Sequence, residues 1–414
     1  MLIRNRIRQT ALLFCINLSG HRQIYTYVFA DWLLKKGFHV ILALGIGQEG
    51  LSGFELPILK TLLNRKCISL VKLGPIKFHS DALDNSVNTI LELEKQYDCS
   101  LTLFPTGDDL RYQISRLGKY PRQLGLRRVA VWINMPYVYP EDLRDYPLYI
   151  QLSKRIRTSY FRIRDKYFFR YKVWNFYGLD QILTTNPDFI LSISSPKFKY
   201  IPEIYLPWGC EKTDLCIFDD NLKKKVLTFL VNNKQKTLLF YYGNWAARRG
   251  FDDLLALAVD YQDTVFISFG RPGSDTNYLR DVPRLMRELH NQGRILDVRI
   301  PFIPFHPIVS DLFRATQFMV LPYRNFYGMS GSMIEAASFG KPVLVPDIGY
   351  MNARVKQYGI GISYQHRNYD DLCIKFQLMR SSSDNYVENV IQFSYQFNDE
   401  NIYSAIDRTD LNLV

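Results

Sequence analysis

Short runs of apolar residues alternate along this chain with loops and amphipathic segments. In the first half, apolar runs at Thr10–Ile16 and His39–Leu44 flank a segment whose apolar residues have helical spacing, Arg22–Lys36. Continuous apolar runs of this length are typical of strands that are buried on both faces of a parallel sheet. We therefore predict a β–loop–α–β opening. Further predicted strands in this half are Leu101–Phe104, Val129–Ile133 and Gln181–Thr184.

The same succession of elements starts again in the second half of the chain. A lysine- and asparagine-rich segment precedes three further predicted strands, which are Thr237–Tyr242, Thr264–Phe269 and Ile295–Val298. Since 414 residues exceed the usual size of one hydrophobic core, we predict an α/β protein with two doubly wound, Rossmann-like domains facing a central cleft. The predicted domains are residues 1–207 and 208–384, and residues 385–414 form a helical segment that could pack back across the cleft.

A stretch around residue 330 combines several local signals in one β–α–β unit. A predicted strand, Phe318–Leu321, is followed by small residues that lead into a predicted helix, Met333–Phe339. Gly340 stands where the end of a helix favours a residue that tolerates left-handed φ. A second predicted strand, Val343–Val345, follows.

Small residues at the start of a helix leave backbone N–H groups accessible at the positive end of the helix dipole. Ser330, Gly331 and Ser332 precede the predicted helix, and this arrangement suits a phosphate or a diphosphate. Glu335 then falls in the first turn of the helix, where its charge favours the dipole. The alternative is purely structural: Ser330 or Ser332 caps the helix, and Glu335 supports the cap.

The composition is that of a globular protein with a basic surface. Hydrophobic residues make up 47% of the chain and charged residues 22%, and the formal net charge of +12 favours an anionic partner. The six cysteines are scattered and form no C-x-x-C pair, so neither a zinc site nor a disulfide framework is indicated. A cytoplasmic location is the expectation that follows.

Polar residues follow several predicted strands of the first half. Asp108 and Asp109 come after one such strand, and Asn134 comes after the next. In a parallel sheet, loops of this kind emerge at the carboxyl ends of the strands, where ligands bind. These three residues are therefore candidates for contacts with an acceptor, although ordinary capping and turn chemistry accounts for them equally well.

The segment Lys154–Lys172 holds eight basic residues, one acid and six interleaved aromatic rings. A basic, aromatic-rich helix suits the interface of an anionic membrane, where the cations contact phosphates and the rings lie at headgroup level. Single-stranded nucleic acid is a weaker alternative, because phosphate-binding features lie elsewhere in the chain. A solvated helix with its rings packed inward is the structural alternative.

Several motifs of the second half resemble those of the family 4 retaining glycosyltransferases, which have the GT-B fold of two Rossmann-like domains. The resemblance rests on GNWAARRG (Gly243–Gly250), on LFRATQFMVLPY (Leu312–Tyr323) and on GSMIEAASFGKPVLVPDIGYM (Gly331–Met351). The opening Gly20–Ala43 is similar to the first acceptor-side helix of that family. The resemblance covers most of the chain and is strongest over Thr237–Tyr364.

The resemblance implies roles for individual residues at the donor site. Glu335 would hydrogen-bond the ribose hydroxyls of a sugar nucleotide, and Arg249 would neutralise the departing diphosphate. His21 would lie close to the donor as a further catalytic residue. The other donor-binding residues that it implies are Gly20, Gly243, Asn244, Arg248, Tyr327, Ser330, Gly331 and Ser332.

The function implied is transfer of a hexose from a UDP- or GDP-linked donor to a glycan or lipid-linked acceptor in cell-surface polysaccharide synthesis. The resemblance further implies retention of the anomeric configuration, no metal or other cofactor, and a peripheral location at the cytoplasmic face of the cell membrane, held there by Lys154–Lys172. Tyr327 and Asn244 stand where the family commonly has glutamate and arginine. The alternative is therefore a catalytically degenerate protein of this fold that serves as a membrane-associated scaffold or partner subunit.

Overall fold

Thirteen strands are found in the part of the chain that the computed structural model describes. It describes residues 9–16, 22–45, 62, 64–73, 80–132, 179–184, 198–201, 220–243, 245, 247–270, 281–299, 307–324, 326 and 330–409. The strands are β1 Thr10–Cys15, β2 His39–Gly45, β3 Ile68–Leu73, β4 Cys99–Phe104, β5 Arg127–Trp132, β6 Gln181–Thr184, β7 Phe198–Tyr200, β8 Thr237–Tyr242, β9 Thr264–Phe269, β10 Ile295–Val298, β11 Met319–Val320, β12 Val343–Pro346 and β13 Gly361–Tyr364.

Helices alternate with these strands through the described residues. They are α1 Arg22–Lys35, α2 Ser80–Gln96, α3 Arg111–Leu117, α4 Asp220–Asn232, α5 Phe251–Asp260, α6 Val282–Asn291, α7 Pro307–Ala315, α8 Gly331–Ser338, α9 Gly349–Tyr358, α10 Tyr369–Ser382, α11 Val387–Ser394 and α12 Asp399–Asp407. None of these helices is both long enough and apolar enough to span a bilayer.

The first compact unit is built on a single parallel sheet. Its strand order is β3-β2-β1-β4-β5-β6-β7. Strands β2 and β3 are added on one side of β1 and strands β4 to β7 on the other, and β1 and β4 run parallel. The central strands β1 and β2 are almost entirely buried, as the continuous apolar runs at Thr10–Ile16 and His39–Leu44 predict. This is the doubly wound arrangement that the sequence predicts for the first half.

The last helix among the described residues, α12, belongs to this first unit. On α12, Asp407 accepts a hydrogen bond from the indole of Trp32 at 2.9 Å, and Tyr403 donates to Asp31 at 2.6 Å. Lys36 lies 2.8 Å from Asp407. These contacts fix α12 against α1, because α1 presents a donor and an acceptor to it within about one helical turn.

The second compact unit contains two three-stranded parallel sheets, in the orders β10-β9-β8 and β11-β12-β13. Thr316, which precedes β11, donates a hydrogen bond to the carbonyl oxygen of Leu238 in β8 at 2.9 Å. Aromatic rings from β8 and the helices fill the space beside the strands, with Phe240 and Phe313 at a centroid distance of 4.9 Å. The described residues from 220 to 398 therefore repeat the α/β plan of the first unit, as the sequence predicts.

A buried ion pair joins α2 to β5 in the first unit. Arg128 donates to both carboxylate oxygens of Glu94, at 2.8 and 2.5 Å, and the two side chains are 1% and 3% exposed. Thr102 also donates to Glu94, at 2.7 Å. Removing one partner of such a pair leaves a buried charge that neither solvent nor protein neutralises.

We expect Glu94→Gln to lower the free energy of unfolding by about 3–5 kcal/mol, because Arg128 would keep its charge in a buried site without a carboxylate. The measurement is chemical denaturation of both proteins. The double variant Glu94→Leu/Arg128→Met, which removes both charges, should be less destabilised than Glu94→Gln. Equal destabilisation of the two variants would show that packing, and not the charge, dominates at this position.

Candidate functional site

Two loops of the second unit meet at the carboxyl ends of β8 and β11. The first loop connects β8 to α5, and the second connects β11 to α8. Gly250, the N-cap of α5, has φ +61°, and a Cβ there would overlap the carbonyl oxygen of Pro322 in the second loop. The backbone N–H of Arg324 donates to the carbonyl oxygen of Arg248 at 2.7 Å. The loops therefore approach each other as closely as their backbones allow.

Arg249 is held over the end of β8 by its own loop. Its Nη1 donates to the carbonyl oxygen of Tyr242 at 3.1 Å, and a Cβ at Gly243 would lie only 2.6 Å from this Nη1 atom. The guanidinium carbon lies 5.8 Å from the ring centre of Tyr241 and 5.7 Å from that of Tyr323. Glycine at 243, with φ +110°, thus leaves the space that the guanidinium occupies.

Arg248 differs from its neighbour in exposure. Its side chain is exposed, with the guanidinium carbon 5.7 Å from the ring centre of Phe326 in the second loop. The two arginines lie in one short 3₁₀ turn, Ala247–Arg249, just before α5. Two cations at the start of a helix oppose its dipole, so an anion bound there would be favoured by both arginines.

The start of α8 is built from Ser330, Gly331 and Ser332, which the sequence predicts as a loop leading into the helix. Ser330 is the N-cap residue, but its side chain makes no capping hydrogen bond. Its hydroxyl donates to the Tyr323 hydroxyl at 3.1 Å, and Tyr323 donates to the Ser332 hydroxyl at 3.4 Å. The serine side chains are thus directed towards Tyr323, and the alternative in which the Ser330 side chain caps the helix does not hold.

Glu335 lies deeper in α8 than the sequence predicts. The sequence predicts a helix start at Met333, but α8 begins at Gly331, so Glu335 is its fifth residue and not part of the first turn. Helix dipole effects fade beyond the first turn, and the dipole therefore contributes little at this position. The side chain is fully buried, so a ribose can reach it only if neighbouring groups move.

Tyr323 is a residue of this site that the sequence analysis does not single out. Burial raises the pKa of its hydroxyl, but the charge of Arg249, the hydrogen bonds with Ser330 and Ser332 and the charge of Arg248 outweigh burial, and the pKa is lowered. Tyr323 connects the arginines of the first loop with the start of α8. Its sequence signals are its position directly after Pro322 and its place at the end of the motif Leu312–Tyr323.

Of the remaining predicted site residues, the structure describes only Asp108 and Asp109. Asp108 and Asp109 lie in the 3₁₀ helix Gly107–Leu110, which follows β4 in the first unit. The other predicted residues and the basic segment fall outside the described residues: Gly20, His21, Asn134, Asn244, Tyr327 and Lys154–Lys172.

Two acidic side chains, Asp252 and Asp253, lie in the first turn of α5. This turn directly follows the 3₁₀ turn Ala247–Arg249, called the arginine turn below. Arg324 contacts both, at 2.9 Å from Asp252 and 2.6 Å from Asp253. Burial raises the pKa of Asp253 to about 6, with Asp252 adding to this effect and Arg324 opposing it. In this site the two carboxylates of Asp252 and Asp253 are therefore paired with the guanidinium of Arg324.

Solved structures with the same architecture identify the fold. A glycosyltransferase from Rickettsia africae is 13% identical, over 97% of this chain and 98% of that chain, with a TM-score of 0.64. HepE of Anabaena in complex with UDP is 12% identical, over 98% and 100%, with a TM-score of 0.64. The sucrose-phosphate synthase of Thermosynechococcus elongatus is 15% identical, over 98% and 99%, with a TM-score of 0.65. The chain has the GT-B fold.

These likenesses are to structure alone. No protein-family model and no curated protein matches the sequence. The GT-B fold with Rossmann-like domains confirms the predicted fold class. In open α/β sheets, ligands bind at the carboxyl ends of the strands, and the two loops described above lie at those ends in the second unit.

Because the pKa of Asp253 is raised in the folded protein, the free energy of unfolding should depend on pH. Between the ordinary pKa of 3.8 and about 6, the folded protein binds this proton more tightly than the unfolded chain, so the contribution of Asp253 to stability is present at low pH and is lost as pH rises. We expect Asp253→Asn to raise the Tm at about pH 7.5 and to raise it less at about pH 5.

The measurement is thermal unfolding of wild type and variant across this pH range. Arg324, Asp252 and Tyr364 are the other titratable groups that interact with Asp253, and all three are retained in the variant. Asp370→Asn, in the first turn of α10, is the matched control. A difference in Tm between Asp253→Asn and wild type that does not change with pH would contradict the raised pKa.

Proposed function

We propose that this protein is a glycosyltransferase that moves a sugar from a nucleotide-sugar donor to a glycan or lipid-linked acceptor. The observation that carries the proposal is that Tyr323 contacts both Arg249 and the serines at the start of α8, with Arg248 next to Arg249 over the ring of Phe326. Two guanidinium groups and a helix N-terminus at the carboxyl ends of parallel strands suit a diphosphate. The fold supports the proposal, since solved structures of this fold include complexes with UDP and with UDP-glucose.

The arginine turn supplies what cleavage of a sugar–diphosphate bond demands. The leaving nucleoside diphosphate gains about one negative charge in the transition state, and fixed cations and N–H dipoles stabilise that charge without reorganising. Arg249 is fixed by Tyr242, Gly243 and the aromatic rings around it, so its charge is in place before the reaction. In this proposal the arginines and the α8 dipole neutralise the leaving group, and no metal is required.

Glu335 would bind the ribose of the donor in this proposal. A carboxylate that accepts two hydroxyl hydrogen bonds holds the nucleoside in a fixed orientation. Because Glu335 is fully buried, donor binding includes a movement that opens its side chain to the ribose. Gly20 and His21 keep the donor-side roles that the family resemblance implies, and transfer with retention of configuration is part of the same proposal.

The acceptor and the cellular setting complete the proposal. Asp108, Asp109 and Asn134 would contact a glycan or lipid-linked acceptor during cell-surface polysaccharide synthesis. The basic segment Lys154–Lys172 would bring the protein to the anionic inner face of the cell membrane. A hexose carried by UDP or GDP is the donor that we propose, and UDP is the first nucleotide to test.

The donor site is tested by calorimetric titration of uridine and UDP into wild type and two variants. Glu335→Gln should weaken both ligands by about ten- to a hundredfold, because a hydrogen bond to a charged group contributes about 1.5–3 kcal/mol. Arg249→Gln should weaken UDP by a similar factor but leave uridine unchanged, because only UDP carries the diphosphate. GDP and guanosine provide the same comparison for the second base.

Arg287→Gln is the matched control, since it removes one positive charge from α6, where the exposed guanidinium donates to the Pro283 carbonyl oxygen of its own helix. It should leave the affinity for UDP unchanged. Failure of the wild type to bind either diphosphate at millimolar concentration would refute the donor site. Donor binding without sugar transfer to any acceptor would instead favour the degenerate scaffold.

Membrane association is tested by flotation with vesicles of anionic or of zwitterionic phospholipid. We expect binding to anionic vesicles alone, and neutralising Arg157, Arg162, Arg164 and Arg170 together should weaken it at least about tenfold, since each cation near the surface contributes about 1 kcal/mol. Replacing Lys223, Lys224, Lys225 and Lys234 by Gln is the control of equal charge. Equal losses in both variants would show attraction by net charge and not by this segment.

A further inference from the structure

Arg324 joins the second loop of the site to the first turn of α5 through its side chain. It lies in the second loop, directly after Tyr323, and reaches 72 residues back along the chain to Asp252 and 71 residues back to Asp253. Its guanidinium is 2.9 Å from Asp252 and 2.6 Å from Asp253, and all three side chains are about three-quarters buried. A planar guanidinium that contacts two carboxylates fixes both orientation and distance.

The backbone beside Arg324 makes the same connection. Its N–H donates to the carbonyl oxygen of Arg248 at 2.7 Å, while Pro322 packs directly against Gly250. The main chain of Arg324 therefore holds the second loop to Arg248, and its side chain holds the same loop to Asp252 and Asp253. Arg249 lies between these attachment points, where its guanidinium faces the ring of Tyr323.

We propose that Arg324 is a positioning residue for the donor site. Its ion pairs with Asp252 and Asp253 hold the arginine turn against Tyr323, so that Arg249 and the start of α8 face the same diphosphate. This inference rests on the proposed function for the identity of the ligand. The clamp itself, defined as Arg324 with Asp252 and Asp253, is a property of the ligand-free protein.

The clamp also separates charges within the site. Without Arg324, two carboxylates would stand in the turn that follows Arg248 and Arg249, where they would attract the arginines and repel a diphosphate. A cation that contacts both carboxylates weakens that repulsion, because it offsets one of their two negative charges. Arg324 therefore keeps these acids from competing with a diphosphate for the two arginines.

The clamp is tested first in the absence of nucleotide, by hydrogen exchange followed by mass spectrometry. Arg324→Gln should speed exchange in peptides that contain Tyr242–Asp253 and Leu321–Glu335, and should leave the peptide with β9 unchanged. Asp252→Asn/Asp253→Asn should have the same effect on the same peptides. Arg380→Gln is the matched control, because it breaks an ion pair with Asp263 in the same unit but near the opposite end of β8.

The second measurement is the affinity for UDP of the same variants. Arg324→Gln should weaken UDP on the order of tenfold, and Arg324→Lys should weaken it less. Combining Arg324→Gln with both Asp→Asn changes should add no further loss and should restore part of the affinity, because it breaks the same clamp and removes the carboxylates that repel a diphosphate. The Tm of each variant is measured alongside. Weaker UDP binding without a large fall in Tm shows that the loops are displaced and the fold is kept, and Asp253→Asn by itself is expected to raise the Tm.

Two results would overturn the inference. One is unchanged exchange in both loop peptides of Arg324→Gln, and the other is additive losses of UDP affinity in the combined variant. Failure of the wild type to bind any nucleotide would count against the proposed function alone, because the exchange experiment decides on the clamp without a ligand.

Discussion

The candidate site depends on the contact between two backbones, those of Gly250 and Pro322. A side chain at residue 250 would overlap the Pro322 carbonyl, and the left-handed φ of +61° there suits glycine. This contact brings the loop after β11 against the turn before α5. Arg249 and Tyr323 face each other as a consequence, and the serines of α8 follow because they bond to Tyr323.

The sequence predicts the fold well where strands are buried and poorly where they are not. Four strands, among them Thr237–Tyr242 and Thr264–Phe269, have the predicted bounds, because a short uninterrupted apolar run between turn residues is typical of a buried strand. The edge strand Ile68–Leu73 is not predicted, since five of its six residues are only partly buried or exposed and Lys72 interrupts its pattern. Helix Ser80–Gln96 is missed for a similar reason, as most of its residues are polar.

The site is predictable only as far as its chemistry is local. Glycines and serines before a helix indicate an anion site by themselves, and Ser330–Ser332 do form the start of α8. The predicted helix start is too late because small residues are as typical of a loop as of a first helical turn, and Glu335 therefore lies deeper than predicted. Arg324 is missed because its acidic partners lie far away in sequence, and only the fold brings it to Asp253. The contact of Tyr323 with Arg249 is missed for the same reason.

The fold, and not proximity in sequence, determines which charged side chains of the site contact each other. Arg248, Arg249, Asp252 and Asp253 are near neighbours in sequence and, in an unfolded chain, would screen one another. In the folded protein the two acids contact Arg324, while Arg249 donates a hydrogen bond to the carbonyl oxygen of Tyr242. The burial that raises the pKa of Asp253 to about 6 shows that holding this acid in place costs stability. A buried acid that costs stability, in a cluster of arginines beside a helix N-terminus, is the kind of local conflict that functional sites often contain.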